Sequence, residues 1–230
     1  MGSFIELTAV DGAKTPAYVA MPEGQARGAI VVLQEIFGVN SHIRSLADRY
    51  AAQGYVAVAP AMFARVKPDV ELGYSEEDMK AGFALKTAVE ALPEPGALRD
   101  VEAAVAHAAT LVPGGKIGVV GFCWGGLMTW RSACNLASVS AAVCYYGGGM
   151  TGELEASRQA LCPVLAHFGS KDHYISLESV EAFKTAQPKA QVHIYEADHG
   201  FNCDQRGSYN EAAAKLAGER TLAFFAQHLG

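Results

Sequence analysis

Short apolar runs without polar alternation constrain this chain more than any other feature. They are Gly28–Leu33 (GAIVVL), Tyr55–Ala59 (YVAVA), Lys116–Gly121 (KIGVVG), Ala141–Tyr145 (AAVCY), Pro163–Phe168 (PVLAHF) and Gln191–Tyr195 (QVHIY). In most of them neither face is polar, and β-branched residues are frequent. Such segments are expected as central parallel strands covered on both faces. Helical stripes lie between them. Ile43, Leu46, Ala47 and Tyr50 form one, with Ser41 in the capping position; Val101, Val105, Ala108 and Val112 form another; Leu222, Phe225 and Leu229 form the last. Strand alternating with helix predicts an α/β fold, an open sheet with helices on both faces. The opening segment differs. Phe4–Val10 and Pro16–Met21 flank the turn-rich DGAKT, which predicts an antiparallel hairpin added to the sheet edge. The more polar stretch Val66–Pro95 reads as an excursion over one face near a substrate entrance, with a helix around Glu76–Ala91.

The chain has 230 residues with no internal repeat, linker or low-complexity tract, so residues 1–230 are expected to form a single domain. A net charge of −6 argues against a nucleic-acid partner. No basic run suggests a membrane surface, and no apolar stretch approaches the ~20 residues of a membrane span. The start MGSFIELTAV lacks the pattern of a secretory signal, and Glu6 stands where a myristoylation site wants Ser or Thr. The expected location is the cytoplasm. Five cysteines, an odd number with no C-x-x-C pair, predict neither a disulfide framework nor a zinc site. No metal and no cofactor are expected: metal-ligand spacing such as H-E-x-x-H is missing, and no glycine-rich loop follows the first parallel strand.

One motif carries chemistry. VVGFCWGG, Val119–Gly126, contains Gly-x-nucleophile-x-Gly with cysteine at the centre, just past the carboxyl end of a predicted strand and before a helical run. In this strand–turn–helix context a sharp turn presents the nucleophile, and glycines let neighbouring backbone pass. The helix amino end favours a thiolate. A thiol nucleophile needs a base, and the base an orienting acid. GSKDHYI presents Asp172 after one strand; EADHGFN presents His199 after the next. The order Cys123, Asp172, His199 is that of the α/β-hydrolases. His167, His173 and Asp198 compete, but His167 falls within a strand, His173 adjoins Asp172, and Asp198 adjoins the base. An oxyanion hole would combine the amide of Trp124 with that of Ile36 in the loop QEIFGVN. Glu35 in the same loop is a carboxylate beside an apolar strand end, costly unless partnered. Its partner would be an arginine such as Arg44 or Arg65, or else the Cys123 thiol.

QEIFGVN, GFCWGG, FGSKDHYI and DHGFN, in this order, resemble the dienelactone hydrolase (carboxymethylenebutenolidase) family, over nearly the whole chain to the closing ERTLAFFAQHL. The resemblance implies an α/β-hydrolase fold with a mostly parallel sheet of about eight strands and helices on both faces. It implies a Cys123–His199–Asp172 triad, an oxyanion hole from Ile36 and Trp124, and a Glu35 that holds the resting thiol and takes its proton when substrate binds. It implies hydrolysis of a small-molecule lactone or enol ester through an acyl-cysteine, by a monomer. Simple-ester hydrolysis and redox sensing at Cys123 are the alternative functions. One departure stands out. Family members acting on dienelactone hold its carboxylate with arginines, one of them four residues past the histidine. That position is Cys203 here, with Arg206 displaced, and EEDMKAGFALK offers Lys80 but no arginine.

Overall fold

The computed structural model describes residues 2–230. In chain order the elements are β1 (Ser3–Thr8), β2 (Lys14–Ala20), β3 (Gly28–Leu33), α1 (Ser41–Ala52), β4 (Tyr55–Pro60), α2 (Glu76–Glu90), α3 (Leu98–Leu111) and β5 (Ile117–Phe122). They continue with α4 (Trp124–Asn135), β6 (Ala141–Tyr145), α5 (Glu153–Ala156), β7 (Val164–Gly169), α6 (Leu177–Ala186), β8 (Gln191–Tyr195) and α7 (Glu211–Leu229). The eight strands form one sheet in the order β1-β2-β4-β3-β5-β6-β7-β8. From β4 to β8 every neighbouring pair is parallel; β1 and β2 form the expected antiparallel hairpin and add to β4.

Burial follows the apolar runs. Every residue of β3, β4, β5, β6 and β7 is buried, whereas the edge strand β8, with its polar Gln191 and His193, is mostly not. Helices α1 and α7 cover one face and meet through Tyr50 and Phe225, while α3 and α4 pack together on the other. The three predicted apolar stripes face inward, Leu222 only partly. The cap of α1 is Asn40 rather than Ser41: its side-chain oxygen accepts from the Ile43 N–H at 3.3 Å, and Ser41 is the first helical residue. Asn fills this role as well as Ser, so residue type alone did not separate the neighbours.

The polar excursion folds as expected into α2, started by a capping box in which Ser75 and Asp78 satisfy each other's backbone N–H. Helix α2 lies against the loop after β3. A Cβ on Gly82 would clash with the Ile36 carbonyl, so that position must be bare. Strand order reverses between β3 and β5, because β4 leaves on one side and β6 on the other. A crevice beyond the strand ends at such a point is where open α/β sheets bind ligands.

Candidate active site

Cys123 joins β5 to α4 with φ 55° and ψ −117°, a conformation costly for any residue with a Cβ. The surroundings enforce it. The Cys123 N–H donates to the Tyr145 carbonyl at 3.0 Å, and its own carbonyl accepts from Gly126 at 2.9 Å. A Cβ on Gly121 would collide with the Gly125 backbone, and one on Gly125 would sit 2.5 Å from the carbonyls of Leu33 and Gln34. Both glycines of the motif are therefore needed for the close passage of α4 over β3 and β5.

The loops after β7 and β8 bring two more groups to the same edge. His199 Nδ1 lies 2.8 Å from Asp172 Oδ2, with both side chains buried. Asp172 is held by the N–H groups of Tyr174 at 2.8 Å and Ile175 at 3.1 Å, both donating to Oδ1. Burial works against charge on the imidazole, but the Cys123 sulfur and the Asp172 carboxylate outweigh it and raise the His199 pKa to about 10. The three expected side chains thus stand together in the order sulfur, imidazole, carboxylate. The competitors stand apart. His173 Nδ1 reaches Asp198 at 3.2 Å on the exposed side. His167 is a satisfied core residue, bonded to Tyr195 at 2.8 Å and Thr221 at 3.1 Å.

Ile36 and Trp124 line one cavity with Cys123 and His199. The Trp124 N–H opens α4, where no intrahelical acceptor exists. The Trp124 ring is pinned at the back, stacked on Phe63 at 5.1 Å, with its Nε1–H donating to Glu90 at 3.2 Å. The cavity is about 240 Å³. Met79, Phe83 and Lys86 of α2 roof it, and Tyr174 and Arg206 add to its walls.

Glu35 departs from the expectation. Its carboxylate is 1% exposed and accepts from Arg206 Nη1 at 3.0 Å, while Oε2 has no partner among the described residues. Neither Arg44 nor Arg65 is near it by bonding: Arg44 reaches Glu71 at 2.7 Å, and Arg65 reaches Asp100 at 2.7 Å and Asp11 at 2.8 Å. A buried carboxylate needs a buried cation, and the loop after β8 supplies one that sequence distance concealed. The Cys123 sulfur lies close enough to His199 to raise its pKa.

The cations of the cavity also differ from expectation. Arg206, displaced along the sequence, reaches the site because Gly200, at φ 79°, turns the loop so that the guanidinium folds over it. Lys86 rather than Lys80 lines the cavity, its Nζ 3.2 Å from Glu90 Oε2, one face of α2 being selected by packing. Two further residues carried no legible signal. Tyr146, at φ 35°, buries a hydroxyl without a partner and packs its ring against His199 at 5.1 Å. His42, fully buried in α1, has only the Asp204 carboxylate 3.3 Å from Nδ1 and no partner at Nε2 among the described residues, and burial lowers its pKa. Their residue types could have flagged them, but no spacing to the motif did.

The model of the dienelactone hydrolase family matches residues 15–229. The carboxymethylenebutenolidase of Pseudomonas putida is 36% identical, over 96% of this chain and 95% of its own. A Synechocystis protein provisionally named carboxymethylenebutenolidase is 39% identical, over 87% of this chain and 86% of its own. A crystal structure from Klebsiella pneumoniae subsp. pneumoniae, provisionally named a dienelactone hydrolase, superposes with a TM-score of 0.85 at 32% identity, covering 99% of both chains.

Proposed function

The chain belongs to the dienelactone hydrolase family of α/β-hydrolases and hydrolyses ester bonds in small molecules; from that premise we propose that Cys123 is its nucleophile and that it opens a lactone or enol ester through an acyl-cysteine. The observation that carries this reading is the alignment of a strained Cys123 with His199 and Asp172 beside two amides free to donate.

In this mechanism the thiolate paired with the His199 imidazolium attacks the carbonyl carbon. The carbonyl oxygen becomes an oxyanion and accepts from the N–H groups of Ile36 and Trp124, which are fixed before reaction and need no reorganisation. Collapse of the tetrahedral species breaks the ring C–O bond and leaves an enolate and a thioester. Asp172 holds the imidazolium in place throughout. The enolate takes the His199 proton; the neutral imidazole then deprotonates water, the hydroxide cleaves the thioester, and the acid product leaves the thiolate–imidazolium pair restored.

Glu35 is assigned the hold on the resting thiol. Its pairing with Arg206, with the sulfur against His199, corresponds in this reading to the activated arrangement. A thiolate formed only for substrate is less open to oxidation. Arg206 and Lys86 supply positive charge for a substrate carboxylate, between the apolar walls of Met79 and Phe83. Five free cysteines support a reducing, cytoplasmic setting. A second reading, a broad carboxylesterase, is favoured by Cys203 in place of the arginine of dienelactone-cleaving relatives.

The test follows loss of dienelactone absorbance for wild type and Cys123→Ala, with intact-protein mass spectrometry after rapid acid quench. Turnover and a mass increase matching the acyl group, both absent from the variant, are expected. Turnover that survives Cys123→Ala would overturn the cysteine mechanism. Fast cleavage of simple esters beside an untouched lactone would select the second reading.

A further inference from the structure

Behind the cavity, three elements converge on a second cluster. Glu35 follows β3, His42 lies in the first turn of α1, and Cys203 lies in the loop after β8. All three are buried, and one donor atom from each lies within 4.8 Å of the others. The protein leaves two of the three short of partners, while the Cys203 sulfur has the Tyr74 hydroxyl beside it. Glu35 Oε1 is taken by Arg206, but Oε2 has no partner among the described residues and neither has His42 Nε2, while His42 Nδ1 has only the Asp204 carboxylate at 3.3 Å. Unsatisfied buried polar atoms each cost about 1–3 kcal/mol, so several at one point imply something that joins them.

We propose that Glu35, His42 and Cys203 bind a borderline divalent cation, zinc by preference, and that occupancy of this site shuts off the neighbouring thiol. A thiolate, an imidazole and a carboxylate suit zinc and not magnesium or calcium, which take oxygen ligands. Bonds of about 2.0–2.3 Å to a tetrahedral zinc put ligand atoms roughly 3.3–3.8 Å apart, so the cluster closes with small side-chain movements. His42 Nδ1 lies 3.3 Å from Asp204 Oδ1, which leaves Nε2 for the metal. That pairing of carboxylate with histidine is the usual outer support of a zinc ligand. Charge balances as well: on binding, the Cys203 S–H proton leaves to solvent and an S–Zn bond forms, and with Glu35 already matched by Arg206, the thiolate and the Asp204 carboxylate beside His42 offset the two charges of the ion. Arg206 keeps Oε1 while the metal takes Oε2. The fourth position falls to water. The inhibitory half rests on the proposed role of Glu35: a carboxylate held by the metal cannot accept the thiol proton.

Cobalt(II) and zinc titrations of the metal-free protein test this, with the thiolate-to-cobalt charge-transfer band as readout. Wild type and Cys123→Ala should each bind one equivalent and show the band. Cys203→Ser should lose the band and bind zinc more than about 100-fold more weakly, a change larger than loss of outer support brings. Asp204→Asn, at a half-exposed carboxylate, should keep the fold and bind about 10–100-fold more weakly. Ester hydrolysis by wild type should fall with the same midpoint as binding. No band in wild type would overturn the site and leave a buried water as the group joining these atoms. A band lost in Cys123→Ala but kept in Cys203→Ser would overturn it in favour of metal on the Cys123–His199 pair. Binding with unchanged hydrolysis would overturn only the switch. An inactive protein that still binds cobalt would count against the proposed function and not against the site.

Discussion

Replacing Asp172 by Asn changes almost nothing in shape, and the structure dictates which way the amide must face. Oδ1 accepts two backbone N–H groups, from Tyr174 and Ile175. An amide nitrogen there would leave both donors unsatisfied, so the carbonyl stays on the loop and the NH2 turns to His199 Nδ1. Nδ1 must then accept. Nε2 carries the hydrogen and points it at the Cys123 sulfur, the tautomer that cannot take the thiol proton. The ion pair is lost as well. Two unit charges 2.8 Å apart interact by about 6 kcal/mol at an effective dielectric near 20. At about 1.36 kcal/mol per decade that is roughly ten-thousandfold in kcat, and the corresponding substitution in a serine-protease triad costs about the same. Steady-state hydrolysis of p-nitrophenyl acetate measures the loss, and urea unfolding verifies that the fold survives. A folded Asp172→Asn enzyme that loses less than about tenfold would refute the reasoning, since even partial protonation control by His199 contributes more.

Other perturbations have defined outcomes. Arg206→Met leaves the Glu35 carboxylate buried without a cation and should cost about 3–5 kcal/mol in urea unfolding, most of it recovered in Arg206→Met/Glu35→Met; an unaltered midpoint would disprove the pairing. Gly125→Ala places a Cβ 2.5 Å from two carbonyls of the loop carrying Ile36, so either folding or kcat should collapse, and an active, stable variant would contradict the packing at the elbow. Lys86→Met should raise KM for a carboxylate-bearing lactone about fivefold and leave a neutral ester unchanged, in line with about 1 kcal/mol for a partly exposed charge contact. With a substrate analogue bound, the His199 imidazolium should titrate by NMR near pH 10 and not near its ordinary 6.5. Because its folded pKa is raised, the stability it contributes is complete below about pH 6.5 and disappears as pH climbs through about 10. Titration near neutrality would show that the thiolate–imidazolium pair does not form.

Local chemistry made much of this protein legible as a string. Runs such as AIVVL and VAVA bury both faces, so their place in the middle of a parallel sheet follows from composition alone, without knowledge of any neighbour. Gly-Phe-Cys-Trp-Gly, read after a strand and before a helix, marks an elbow because only bare positions let backbone pass that closely. Asp172 and His199 were legible because each follows a strand, and parallel strands deliver their following loops to one edge. What tertiary structure alone decided are the long-range pairings of charge and volume. Arg44, Arg65 and Arg206 are equivalent as letters. Only the path of the chain after β8 puts Arg206, 171 residues away, on Glu35. The rotation of α2 likewise chose Lys86 over Lys80, and the fold brought His42 of α1 and Cys203 of the loop after β8 to the same carboxylate. Backbone preference is set within a few residues and can be read there; the partner of a buried charge is set by whichever distant segment the fold brings within a few ångströms.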